Sequence, residues 1–214
     1  MAAAWSRSNP LALAVLVCLY ERPMHPYEVA QTLRTRAKHE SVRLNYGSLY
    51  AVVESLEKKG FIKATGTLQA GRRPQRTIYA ITDAGTVEMT DWLTELIGTP
   101  AKEYPAFMSG LSFIAALDPD DAVAALRRRA ESLAIKIASL RGAMRAARDA
   151  GLPRLFDLET EYEEQQLIAE IHYVNELVVV ITEGTLEGLE MWRGFHSGDF
   201  DPADVHFNFK LPSE

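Results

Sequence analysis

The chain has 214 residues, of which 47% are hydrophobic and 24% are charged, enough apolar material for one compact domain and an appended helical part. Its longest apolar run, residues 11–20, is about half of the roughly 18 residues that a membrane span needs, and no export signal is visible. The single cysteine, Cys18, excludes an intrachain disulfide and fits a cytoplasmic protein.

The formal net charge of −6 would by itself argue against a nucleic-acid partner, but the charges are unevenly distributed. Residues 1–100 hold 12 basic and 9 acidic side chains, whereas residues 101–214 hold 11 and 20. Residues 34–76 alone hold ten basic and three acidic ones. Since salt screens charges over about 8 Å, the distant acidic half does not cancel this excess. The pattern favours a nucleic-acid contact in the first half; the alternative is a solvated basic surface.

Three helices are predicted before residue 60. The first opens at Asn9-Pro10, a capping residue followed by proline at the first helical position, and runs to about residue 21. The second starts at Pro26 and extends to about residue 38, and the third spans residues 45–59. The third helix is predicted to bury Leu49, Val52 or Val53, and Leu56, and to expose Tyr46, Gly47, Ser48 and Tyr50.

Two extended segments follow, at residues 61–68 and 75–81, and the next helix starts at residues 82–85. The segments are joined by the turn Gly71-Arg72-Arg73-Pro74, so they form a hairpin, called the wing below. The order helix, helix, helix, strand, strand predicts a winged helix-turn-helix that reads duplex DNA, with the third helix in the major groove and the wing on phosphates or in the minor groove. The residues predicted to contact DNA are Tyr46, Gly47, Ser48, Tyr50, Arg72, Arg73 and Arg76. The alternative for the two tyrosines is packing against neighbouring helices.

Several sequence blocks in this region carry a family resemblance. They are Leu11-Ala12-Leu13-Ala14-Val15-Leu16, His25-Pro26-Tyr27-Glu28, Gly47-Ser48-Leu49-Tyr50, Leu56-Glu57-Lys58-Lys59-Gly60-Phe61-Ile62 and Tyr79-Ala80-Ile81-Thr82-Asp83-Ala84-Gly85. Through them, residues 8–93 resemble the winged-helix domain of PadR-family transcriptional regulators. The chain departs from the family pattern at Pro26, where glycine is usual, and at Ala51, where proline is usual. The resemblance implies a repressor dimer that binds a dyad-symmetric operator and is released by an effector, with Ser48, Tyr50, Arg72 and Arg73 facing DNA.

The second half is predicted to be helical. A short helix at residues 107–117 precedes a long one from Asp118-Pro119 to Gly151, and another long helix runs from there to about Phe195. Both long helices repeat apolar residues in alternating steps of three and four, and they would be roughly 50 and 60 Å long. We expect such rods to pack against a second chain as well, and the resemblance also implies dimerisation through C-terminal helices; the alternative is an intramolecular hairpin. The predicted dimer contacts are Leu133, Ile137, Leu140, Val174, Val178 and Ile181.

These elements predict a mainly α protein with a small β-hairpin: a DNA-binding domain at residues 8–98, a helical dimerisation and effector domain at 104–196, and a tail at 197–214. Aromatic residues near the dimer axis could hold a small aromatic effector, with Trp192 as the best candidate; the alternative is core packing. No cofactor, metal site or enzymatic activity is predicted, because the sequence has no glycine-rich phosphate loop and no Cys/His cluster. The remaining alternative is a winged helix that docks protein instead of DNA.

Overall fold

The computed structural model describes residues 7, 9–38, 42, 44–68 and 76–198. The chain divides into two compact units, residues 1–103 and 104–214. The predicted fold class, mainly α with a small β-hairpin, is confirmed. Within the described ranges, no helix combines the length and the apolar character needed to cross a membrane.

The first unit contains four helices and the hairpin in the predicted order. They are α1 (Pro10–Glu21), α2 (Pro26–Thr35), α3 (Tyr46–Lys58), β1 (Ile62–Leu68), β2 (Arg76–Ile81) and α4 (Asp83–Gly98). Three helices begin where a side-chain oxygen accepts a backbone N–H of the first turn: Asn9 caps α1, Asn45 caps α3 and Thr82 caps α4. These starts are therefore fixed by local sequence.

The wing is anchored at its base to the helices. Strands β1 and β2 pair antiparallel from Ile62 opposite Ile81 to Leu68 opposite Arg76, with a bulge between Ala64 and Gly66. Met24, in the connection between α1 and α2, exchanges two backbone hydrogen bonds of 3.0 Å with Tyr79 of β2. The base of the hairpin is thus a backbone hydrogen-bond network of β1, β2 and the segment at Met24. Because Met24 lies just before α2, this network ties the hairpin to the start of that helix.

Helix α1 forms the centre of the first unit, because α2, α3, α4 and β2 all pack around it. Cys18 on this helix is buried, and burial raises the pKa of its thiol to about 11. The thiol is therefore neutral and packs as a small apolar group.

The second unit is built around a pair of long helices. Its elements are α5 (Ala106–Ser112), a 3-10 turn at Ile114–Ala116, α6 (Pro119–Asp149), a 3-10 turn at Arg154–Phe156, α7 (Leu158–Thr182) and α8 (Leu189–Ser197). Helices α6 and α7 pack against each other as an antiparallel hairpin. Three ion pairs of 2.5 Å cross the pair: Arg129 with Glu170, Lys136 with Glu163, and Arg141 with Glu164.

The prediction of one continuous helix from residue 154 to about residue 195 is wrong. Helix α7 ends at Thr182, and α8 starts only at Leu189. Gly184 and Gly188 adopt left-handed backbone with φ of 77° and 83°, which breaks the helix between them. At about 1.5 Å per residue, α7 is roughly 37 Å long, shorter than the rod expected from the sequence.

Four of the predicted dimer contacts are buried within a single chain. Leu133, Ile137, Val174 and Ile181 are each less than 9% exposed, whereas Leu140 and Val178 are half-buried. These four side chains are therefore buried without a second chain, as in the intramolecular hairpin given as the alternative. A shorter α7 folds back on α6, and the intramolecular hairpin covers them. Of the predicted tail, Ser197 ends α8, and residues 199–214 lie outside the described residues.

Candidate nucleic-acid interface

The leading turn of α3 is exposed. Its inward side chains, Leu49, Val52, Val53 and Leu56, are buried in the core of the first unit. Tyr46, Gly47, Ser48 and Tyr50 are all exposed. The predicted division of this helix into a buried and an exposed face is confirmed, and the contact of the exposed face with DNA stays a prediction.

Tyr46, the first residue of α3, packs against two residues of α2. Its ring lies nearly parallel to that of Tyr27, with 6.3 Å between centroids and 13° between planes. The guanidinium of Arg34 lies 4.6 Å from the centroid of the Tyr46 ring and donates a hydrogen bond to its hydroxyl. The ring of Tyr46 therefore packs against a neighbouring helix, which was the alternative to DNA contact for the two tyrosines. Half of Tyr50, by contrast, is exposed to solvent.

The guanidinium of Arg76, the first residue of β2, lies 5.9 Å from the centroid of the Tyr27 ring. Arg34, Tyr46, Tyr27 and Arg76 therefore follow one another in space, and we call this set the arginine–tyrosine column. It joins α2, α3 and the base of the wing. The DNA contacts predicted from the sequence include Tyr46 and Arg76 but neither Tyr27 nor Arg34, although the last two are seven residues apart and so share one face of α2.

A shallow groove lies beside the column, between the start of α2, helix α3 and strand β2. Its walls carry Tyr27, Tyr50, Tyr79, His25, Arg76, Glu54 and Glu57. Burial, followed by the charge of Glu57 and a hydrogen bond to it, raises the pKa of Tyr79. This phenol is therefore neutral and helps to hold β2 against α3.

His25 caps α2 through its imidazole. Its Nδ1 accepts a hydrogen bond of 3.0 Å from the backbone N–H of Tyr27, and its own backbone N–H donates to Glu28 at 2.9 Å. Burial and the nearby charge of Arg76 lower the pKa of His25, and Glu28 opposes them. Other charged groups of the groove wall are Glu54 and Glu57 on α3. The neutral imidazole is the form that can accept this bond.

The arginine side chains on this surface differ in whether they form an ion pair with a carboxylate. Arg36 pairs with Glu21, and this hydrogen-bonded pair lowers the pKa of the Glu21 carboxyl. Among the described residues, no carboxylate forms an ion pair with Arg34 or Arg76. Arg72 and Arg73 lie outside the described residues, so their contact with DNA stays a prediction.

The proposed effector residue of the second unit, Trp192, lies in the core of that unit. It is 5% exposed, and its indole N–H donates a 2.7 Å hydrogen bond to the carbonyl oxygen of Leu117. This geometry favours the core-packing alternative over a direct effector contact. Exposed aromatic side chains occur elsewhere on this unit, at Tyr104, Phe113, Phe156, Tyr162 and Tyr173.

Comparison with known proteins finds a family model that matches part of the first unit. Residues 15–91 match the family model of the PadR-like transcriptional regulators. A protein of Mycobacterium tuberculosis described as a probable transcriptional regulator is 32% identical over 82 residues, which are 38% of this chain and 42% of that protein. The matched segment thus spans less than half of that relative.

Solved structures extend the likeness over most of the chain. PadR of Bacillus subtilis in complex with operator DNA has a TM-score of 0.67 at 18% identity, covering 81% of this chain and 99% of PadR. The same protein in complex with p-coumaric acid has a TM-score of 0.65 at 17% identity, covering 84% and 99%. The Vibrio cholerae virulence activator AphA has a TM-score of 0.61 at 16% identity, covering 81% and 98%. At these identities the likeness establishes a shared fold.

Proposed function

We propose that the chain binds double-stranded DNA sequence-specifically, because its residues 15–91 match the family model of the PadR-like transcriptional regulators. The observation that carries the proposal is the exposed leading turn of α3, which offers the hydroxyls of Ser48 and Tyr50 beside the base of the wing. Such groups reach base edges when a helix enters the major groove end-on. Gly47 and Tyr46 lie in the same turn, and Arg72, Arg73 and Arg76 of the wing bind phosphates.

We further propose that the protein acts as a homodimer through its second unit. Leu140 and Val178 are half-buried in one chain, and Ile135 is 72% exposed, so apolar surface remains for a second copy. A twofold axis would present two copies of α3 to successive major grooves, about 34 Å apart on one face of DNA. An operator with dyad symmetry matches that arrangement.

Repression relieved by a small aromatic effector completes the proposal. Its support is that PadR of Bacillus subtilis has the same fold and has been crystallised both with operator DNA and with p-coumaric acid. In this chain the exposed aromatic residues of the second unit are better placed for an effector than Trp192, whose ring is buried.

A winged helix that docks protein is the second candidate function, and salt dependence separates the two. We would measure fluorescence anisotropy of the purified chain with a labelled duplex from the region upstream of its own gene, across a series of KCl concentrations. A DNA-binding protein loses affinity steeply as salt rises, because its cations release counterions from the phosphates. No affinity for the duplex at low salt would overturn the proposal.

Variants of α3 test which residues read sequence. Ser48→Ala should lower the preference for the operator over random duplex by about fivefold, since a single hydrogen bond to a base edge is worth about 1 kcal/mol. Ser55→Ala is the matched control, because Ser55 lies two turns further along α3, about 10 Å from the leading turn. Equal losses on operator and random duplex would mean that Ser48 only positions the helix.

Phosphate binding by the wing and dimerisation are tested by two separate measurements. Replacing both Arg72 and Arg73 by alanine should weaken binding to every duplex and flatten the salt dependence, by about 0.9 in slope for each phosphate that the variant no longer neutralises.

Light scattering after gel filtration should give the mass of two chains. A monomer would contradict the dimer proposal and leave the DNA-binding proposal standing.

A further inference from the structure

We propose that the arginine–tyrosine column is a prearranged clamp for two DNA phosphates. Arg34 and Arg76 bind backbone phosphates on either side of the inserted end of α3, and Tyr27 is the positioning residue that sets their spacing. This inference rests on the proposed DNA-binding function and adds two residues, Arg34 and Tyr27, that are not among the DNA contacts predicted from the sequence.

The column is built around the first residue of α3. Tyr27 and Arg34 lie two turns apart on one face of α2, a rise of about 10 Å. The ring of Tyr46 lies between them, in contact with both: 6.3 Å from the Tyr27 ring and 4.6 Å from the Arg34 guanidinium. Any displacement of Arg34 or Tyr27 therefore disturbs the residue with which α3 begins.

The two guanidinium groups at the ends of the column are free to bind an anion. Both arginines are exposed, and neither is paired with a carboxylate of a described residue. One N–H of Arg34 is donated to the Tyr46 hydroxyl, which leaves four of its five N–H donors for a phosphate. A guanidinium held on a ring face keeps its plane fixed and can donate two parallel hydrogen bonds to one phosphate.

The spacing of these groups fits a groove. The three separations along the column place the two guanidinium groups at most about 17 Å apart, and the major groove is roughly 12 Å wide between its phosphate walls. In this proposal a helix that enters the groove at Tyr46 presents one cation to each wall, because the Tyr46 ring lies between Arg34 and Tyr27. Because stacking fixes these cations before DNA arrives, binding orders fewer flexible side chains.

The first test compares two arginines of the same region. Binding of the full-length chain to a random-sequence duplex is measured over a KCl series for the wild type, Arg34→Ala and Arg36→Ala. Arg36 is the matched control, since the same charge is removed but its guanidinium is already engaged by Glu21. We expect the slope of log affinity against log salt to fall by about 0.9 per chain for Arg34→Ala and to stay unchanged for Arg36→Ala. An unchanged slope for Arg34→Ala, or an equal fall for both variants, would overturn the clamp.

The second test addresses the positioning role of Tyr27. Tyr27→Phe keeps the ring and should bind as the wild type does. Tyr27→Leu removes the ring and should weaken DNA binding by roughly tenfold, about as much as Arg76→Ala does. The double variant with Tyr27→Leu and Arg76→Ala should bind only slightly more weakly than either single variant, as expected for coupled sites. Losses that simply multiply, or a Tyr27→Phe variant as weak as Tyr27→Leu, would refute the role of the ring.

Two outcomes keep this inference separate from the proposed function. If the wild type has no salt-dependent affinity for duplex DNA, the function itself is wrong. If the wild type binds with a steep salt slope and Arg34→Ala leaves that slope unaltered, the clamp alone is wrong. Circular dichroism melting of each variant checks folding, and should Tyr27→Leu unfold, the comparison of Arg34→Ala with Arg36→Ala still decides.

Discussion

The start of α4 offers a sharp test of how the wing is joined to the helices, through the substitution Gly85→Ala. Gly85 is buried in the first turn of α4, and a Cβ atom there would lie 2.0 Å from the carbonyl oxygen of Phe61 and 2.8 Å from Cγ1 of Ile81. That carbonyl oxygen also accepts hydrogen bonds from the backbone N–H of Thr82 at 3.0 Å and from its hydroxyl at 3.1 Å. The obstacle is backbone, which cannot rotate away as a side chain can.

The expected destabilisation follows from these contacts. Overpacking of a core costs about 1–3 kcal/mol, and each hydrogen bond broken as the Phe61 carbonyl moves costs about 1 kcal/mol more. The better helix propensity of alanine returns at most about 1 kcal/mol. We therefore expect Gly85→Ala to lower the free energy of unfolding by about 3 kcal/mol, measured by urea denaturation followed by circular dichroism.

Gly98→Ala is the matched control on the same helix, because a Cβ atom at Gly98 would meet no atom within 4 Å. It should leave the unfolding free energy unchanged or raise it by up to about 1 kcal/mol. A Gly85→Ala protein within about 0.5 kcal/mol of the wild type would refute the close approach of α4 to the segment between α3 and β1.

Three further predictions concern the two units. Ile137→Ala should cost about 2–5 kcal/mol of unfolding free energy, since Ile137 is 7% exposed within one chain. Ile97→Ala, at a position 84% exposed, should cost less than about 0.5 kcal/mol, and equal losses would contradict the intramolecular seam. Trp192→Phe should cost about 1–2 kcal/mol because it removes the hydrogen bond to Leu117, while an unaffected melting curve would mean that the bond adds nothing. The pKa of His25 is lower in the folded state, so the stability from its neutral cap is present above pH 6.5 and is lost as the pH falls through the folded value. His25→Asn keeps an acceptor that does not titrate and should remove this pH dependence; a variant with the wild-type pH profile of urea denaturation would refute it.

The local features of this protein could be predicted from its residues alone. The capping side chains of Asn9, Asn45 and Thr82 act within two or three residues, so the starts of their helices can be read directly from the chain. The two faces of α3 were equally predictable, because helical periodicity assigns Leu49 and Leu56 to the core whatever the core is made of. The order of helices and strands then predicted the fold class.

The long helices show where periodicity stops being informative. A repeat of apolar residues identifies a seam, but Ile137 and Val174 fit equally well against a helix of the same chain or of a second one. The break between Thr182 and Leu189 was missed because a glycine within a helix costs only about 1 kcal/mol, which a strong apolar pattern outweighs. The left-handed backbone at Gly184 and Gly188 accompanies the packing of α8 beside α6, which is a tertiary contact and is not encoded in local periodicity.

Which polar groups contact each other depends on how the helices and strands pack. The arginine–tyrosine column brings together side chains from α2, α3 and β2 that are separated by up to 49 positions in sequence, and the indole of Trp192 finds the carbonyl of Leu117 across 75 positions. Contacts of this kind depend on helix packing and on side-chain rotamers, which are set by the whole core at once. Local sequence fixes where each element begins and which side it buries, whereas the geometry between elements follows from how their surfaces fit together.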